Sequence, residues 1–159
     1  MTTPSKNHIL AALAAALAVA CAMSIYSPIR FGRQQAARER AVKERLVKIR
    51  HAEETYRKAT GSYTDDFNVL VSKGYLADSL QYIPFSGGRK FSITVTTLTG
   101  KSGRPVPLME CGASYQEYLK GLDAGSISGL TDEANNAGRY PGLKIGDLTT
   151  PNDNAGNWE

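Results

Sequence analysis

Histidine and cysteine are scarce, with two of each in 159 residues. Cys21 lies in an apolar run and Cys111 far along the chain. They do not form a disulfide framework, and a zinc-ligand spacing is absent. His8 stands at the edge of the apolar run, and His51 stands among charged neighbours where a solvated helix face is expected. Cys111, followed by Gly and without a nearby His, reads as a buried structural thiol. The glycines of "SGGRKF" lack the strand–turn–helix context of a phosphate loop. Enzyme classes that need these constellations are excluded, and no catalytic residue, cofactor or small-molecule substrate is expected. Disorder is excluded too, since 42% of the chain is apolar and 8% aromatic.

Charge is also missing from long stretches. Residues 9–29, "ILAALAAALAVACAMSIYSPI", carry none. At the helical rise these 21 residues span about 30 Å, one hydrocarbon thickness. Lys6 and His8 precede the run, Arg30 and Arg33 close it, and Tyr26 suits an interface. A transmembrane helix over 9–29 is therefore expected, after a flank at 1–8. A cleaved signal peptide is the alternative, with Ile9–Ala20 as its apolar core and Ala18-Val19-Ala20 as its cleavage site. "AVAC" also permits a lipid on Cys21. The lipid bilayer is the partner expected from this run.

Glycine and proline are absent from Gln34 to Thr60. Val42, Leu46, Ile49, Glu53 and Tyr56 are spaced 4, 3, 4 and 3 apart, a helical stripe that only Glu53 interrupts. Glu39–Lys43 and Glu44–Lys48 are favourable i,i+4 pairs. Residues 30–60 thus read as an amphipathic stalk helix with a packing seam of Val42, Leu46, Ile49 and Tyr56. Pro28 is placed to kink it, Gly32 is its second weak point, and Gly61 stops it. The stalk is basic, with 10 Lys/Arg against 4 Asp/Glu from Arg30 to Thr60, whereas Gly61–Glu159 has 8 against 11. Lipid headgroups are the partner that this split suggests; nucleic acid binding would need a cytoplasmic stalk and is not expected.

These features together resemble the type IV pilin superfamily, most closely the pseudopilins of type II secretion. Pro28, Gly32, Tyr56 and Tyr63 follow that family's series, and "YRKATGSYTDDFNVLVSKGYL" resembles its helix end, glycine turn and next short helix. The ending "NDNAGNWE" is similar to the Gly-Asn-Trp close of some pseudopilins. The chain also resembles single-pass membrane proteins of Bacteroidota. It departs from the family at Lys6-Asn7-His8-Ile9-Leu10, where a Gly before a Phe-Thr-Leu-Ile-Glu-type start would stand. No Glu falls in the first apolar turns, so family-type processing and filament assembly are not implied. The resemblance implies a single-pass inner-membrane protein with its head in the periplasm. The Arg-rich C-terminal flank implies the opposite orientation.

Beyond the stalk, residues 61–159 read as a small α+β head. Thr64 is placed to cap a helix over Asp65–Lys73. "LQYIPF" suggests a short strand, and "KFSITVTTL" alternates as a half-buried one. "VPLMEC" is its hairpin partner, put at an edge by Pro105 and Pro107. Ser114-x-x-Glu117 is a capping box. After Gly121 the chain reads as loop, with "YPGLKIGDL" as a last strand. The fold class is α+β: a long N-terminal transmembrane-plus-stalk helix packed on a small antiparallel sheet. The loop Asp147–Asn154 offers oxygens that suit Ca²⁺, the one metal considered, with a plain turn as the default.

The function expected is that of a non-enzymatic, membrane-anchored, pilin-like structural or accessory subunit of a bacterial envelope assembly, partnered by other pilin-like proteins or by itself. The alternative is a monomeric membrane-tethered binding module that uses its loops from Gly121 to Asn157.

Overall fold

A computed structural model of the chain describes residues 6–100 and 103–159. Helix α1 covers Lys6–Thr60 and includes Pro28. The chain divides into two compact units, Met1–Ala36 and Ala37–Glu159. In the first, α1 is the only described element. The second holds the rest of α1, together with α2 (Phe67–Ser72), a 3₁₀ turn (Asp78–Gln81), β1 (Ser92–Thr99), β2 (Pro105–Ser114), α3 (Tyr115–Tyr118), α4 (Ala124–Asn136) and β3 (Gly142–Gly146).

One expectation for the first unit is overturned. Among the described residues no helix is long and apolar enough to cross a membrane. The transmembrane helix over 9–29 is therefore withdrawn, and with it the single-pass topology and the inner-membrane location. The run was measured by its lack of charge, but its unbroken apolar part ends at Met23, short of the roughly 20 consecutive apolar residues a crossing helix needs. Ser24, Ser27 and Pro28 fall in its last turns. The side chain of Tyr26, expected at an interface, lies outside the described residues.

In the second unit the helical stripe meets the sheet. Val42, Leu46 and Ile49 are fully buried, and Ala52 nearly so. They share a core with Leu70, Met109, Cys111, Tyr118, Leu119 and Ile145. Each buried aliphatic side chain here contributes about 1.5–3 kcal/mol. Tyr56 at the end of the stripe is half-buried, its ring meeting Tyr75 edge-on at 5.8 Å. The helix ends as its glycine dictates: Gly61 adopts φ +89° and its N–H donates to the Arg57 carbonyl at 2.7 Å.

The sheet is antiparallel with strand order β1-β2-β3. β1 pairs with β2 from Ser92↔Gly112 to Thr99↔Pro105, and β2 with β3 from Glu110↔Gly146 to Ser114↔Gly142. β2 is thus central, not an edge strand as its prolines suggested. The prolines are tolerated because Pro105 and Pro107 lie in the half of β2 that only β1 reaches. β3 begins and ends in glycine for a steric reason. A Cβ at Gly142 would collide with the Ala113 carbonyl, and one at Gly146 with the Met109 carbonyl.

Other local readings shift. Asp66, rather than Thr64, caps α2, its carboxylate accepting from the Asn68 N–H at 2.8 Å, while the Thr64 hydroxyl accepts from the Asp66 N–H at 3.2 Å. "LQYIPF" forms the end of the 3₁₀ turn and one bridge, Tyr82↔Lys90, instead of a strand. The stretch expected as loop after Gly121 contains α4. Asp123 caps it by accepting from the Ser126 N–H at 2.7 Å, and Ile127 and Ala134 supply its buried side.

Candidate assembly surface

Two surfaces draw attention, one in each unit. In the first unit, α1 leaves its apolar side chains uncovered. Leu10, Leu13 and Leu17, at helical spacing, are 64%, 62% and 67% exposed, and Ile9, Val19 and Ile29 are exposed as well. Between them stand alanines and the exposed thiol of Cys21. Gly32 has open space around it. Uncovered apolar surface on this scale marks a site of association.

In the second unit, α1 carries arginines that do not face solvent as free charges. Arg38 donates to the carbonyls of Tyr118 (3.0 Å) and Lys120 (2.8 Å), the orphan acceptors at the end of α3, and its guanidinium lies 4.8 Å from the centre of the Phe85 ring. Arg45 donates to the carbonyls of Ser79 and Tyr82. Arg50 donates to the Asn154 carbonyl at 3.3 Å and pairs with the Glu159 carboxylate at 2.9 Å. Arg57 donates to the Tyr63 hydroxyl at 2.9 Å, and that hydroxyl also accepts from the Asn154 amide at 2.7 Å. Much of the basic charge therefore fastens the head to its own helix. Read as a total, it had pointed to lipid headgroups. The signal was spacing: Arg38 and Arg45, like Arg50 and Arg57, are seven residues apart beside the apolar stripe.

Glu53 is the other residue the sequence left unexplained. It is fully buried, and one carboxylate oxygen accepts from the Thr64 N–H at 3.1 Å while the other has no partner. Burial, opposed by that hydrogen bond and helped by nearby Asp65, pushes its pKa up to about 7. Glu53 thus belongs to the stripe it was expected to break. It accepts a backbone donor just past the helix end.

The remaining expected sites fall as follows. Tyr63 is buried where α1 meets the tail. Cys111 is wholly buried, and burial pushes its thiol up, so it is chemically quiet. His8 and His51 are exposed. In the Asp147–Asn154 loop, the Asp147 carboxylate accepts from the N–H groups of Thr149 (2.7 Å) and Thr150 (3.0 Å) and from the Thr149 hydroxyl. That is turn chemistry. Among the described residues no group of three or more His, Cys, Asp or Glu could hold a metal.

The head also has an open groove of about 450 Å³, where Lys43, Tyr115, Arg139, Tyr140, Lys144 and Trp158 bring rings and cations together. Lys144 is already paired with Glu110 at 2.6 Å and Arg139 with Glu133 at 3.3 Å. A second opening, of about 420 Å³, is bordered by Glu54, Arg57, Lys58, Tyr63 and Asp153.

No family model, no curated protein and no solved structure matches this chain.

Proposed function

We propose that this chain is a non-enzymatic, pilin-like structural subunit that associates with copies of itself through the N-terminal part of α1. The observation that carries the reading is the row Leu10, Leu13 and Leu17, uncovered on an uncharged, alanine-rich helix. Copies of such a helix pack without like-charge repulsion, and alanine lets their backbones approach closely. The likeness of the stalk end and glycine turn to pseudopilins supports the same reading.

Cys21 supplies the probe. It is exposed on this helix, while the chain's other cysteine is buried. Treatment of cells producing the full chain with a thiol-to-thiol crosslinker is expected to give covalent dimers, the largest product that one reactive thiol per chain allows. Cys21→Ser abolishes them, and Leu13→Glu with Leu17→Glu prevents them while Cys21 is retained. Monomers alone would refute self-association. They would favour a second reading, a monomeric binding module that uses the groove beside Tyr140 and Trp158.

A further inference from the structure

The sheet has two outer edges, and the chain treats them differently. The edge of β3 is closed by the C-terminal segment. The Gly146 N–H donates to the Ala155 carbonyl at 3.0 Å and the Asn157 N–H to the Lys144 carbonyl at 3.0 Å. The Asn157 side chain accepts from the Lys144 N–H at 3.1 Å and donates to the Gly142 carbonyl at 3.0 Å. The edge of β1 has nothing equivalent. Among the described residues, no hydrogen bond outside the ladder with β2 reaches Ser92–Thr99. An antiparallel edge strand points the N–H and C=O of every second residue outward, so β1 presents a row of open donors and acceptors.

Edge strands are ordinarily blunted by charge, proline, a bulge or brevity. β1, "SITVTTLT", has none of these. It runs for eight residues, pairs with β2 residue for residue, and contains no charge, proline or glycine. Its flanks are charged in one sense only. Exposed Arg89 and Lys90 precede it and exposed Arg104 follows it, and no Asp or Glu occurs between Asp78 and Glu110. Glu117 stands 3.6 Å from Arg89, and Lys90 lies over the Tyr82 ring. Two copies of β1 paired antiparallel would set the Arg89–Lys90 end of one beside the Arg104 end of the other. That repulsion disfavours a second copy as the occupant.

We propose that the β1 edge takes up an extended segment of a partner protein as a fourth strand. The segment that fits is uncharged and β-branched at its centre and carries carboxylates at both ends. Main-chain hydrogen bonds supply the attachment, and the basic flanks select the sequence. This surface is independent of the N-terminal helix, so the proposal stands or falls apart from the crosslinking result.

The test uses the full chain and a fluorescent peptide about ten residues long, a usual strand length with charged ends, of alternating Thr and Val flanked by Glu pairs. Binding is expected that weakens with salt and slows hydrogen exchange at the amides of Ser92–Thr99. The double variant Lys90→Glu, Arg104→Glu changes exposed side chains only. It should bind about tenfold more weakly, as expected from two exposed ion pairs, and should prefer a Lys-flanked version of the peptide. N-methylation of alternate peptide residues should abolish binding in one of the two alternations. Failure to bind overturns the proposal, as does protection elsewhere on the head or indifference to both N-methylated forms. Concentration-dependent protection of β1 without peptide would assign the edge to a second copy and overturn it equally.

Discussion

Glu53 offers the sharpest quantitative test of the packing described above. Its pKa rises from 4.5 to about 7 on folding. At about 1.36 kcal/mol per unit, the ionised form costs about 3 kcal/mol in the folded head. A raised carboxyl holds its proton more tightly in the folded state. Stability linked to the protonated form is fully present below pH 4.5 and is lost as pH rises through about 7. Between pH 5 and pH 8 this one group therefore lowers stability by about 2.5 kcal/mol. Glu53→Gln keeps an oxygen for the Thr64 N–H and removes the ionisation. Its added amide N–H is a pH-independent cost and shifts the whole profile without tilting it. Urea unfolding of both proteins at pH 5 and pH 8 reads the effect. The wild type minus variant stability should become more negative by about 2.5 kcal/mol across that interval, with unchanged m-values. Parallel profiles would refute the assignment, because they would mean that Glu53 stays ionised in its buried position or is solvated there.

Two further perturbations address the rest of the head. Arg38→Ala removes two carbonyl partners and the cation over Phe85, and should cost about 2 kcal/mol in thermal or urea unfolding; an unchanged midpoint would show that these contacts do not hold in solution. Gly142→Ala forces a Cβ onto the Ala113 carbonyl and should destabilise by about 3 kcal/mol or abolish folding, whereas Gly61→Ala, in open space at φ +89°, should cost about 1 kcal/mol.

The legible parts of this fold were those written as periodicity. Val42, Leu46 and Ile49 lie where helical spacing put them, β3 falls within the stretch that read as its strand, and β1 overlaps its own, running one residue past Leu98 to Thr99. Partners were not legible. A count of arginines records charge, but nothing in the count says that Arg38 and Arg45 end on carbonyls eighty and thirty-seven residues away. Glu53 had the right spacing for burial, yet its justification is the Thr64 N–H past the helix end, which emerges only when the chain turns at Gly61. α4 was hidden by Gly125 and Gly129, whose weak helix propensity outweighs the cue from Asp123 until Ile127 and Ala134 find a core. The membrane reading failed differently, since 21 residues free of charge were taken as apolar length, whereas Ser24, Ser27 and Pro28 interrupt it.

The tail's closure of β3 has a consequence for how the molecule is made. Arg50 is translated early, but its acceptors at Asn154 and Glu159 come more than a hundred residues later. Until residues 154–157 leave the ribosome, β3 lacks its cover, the Arg50 guanidinium lacks its Asn154 acceptor and the Tyr63 hydroxyl lacks the Asn154 donor. The head is therefore expected to settle only once Asn157 has emerged. Until then, the nascent chain displays two unfinished sheet borders to whatever chaperone is at hand.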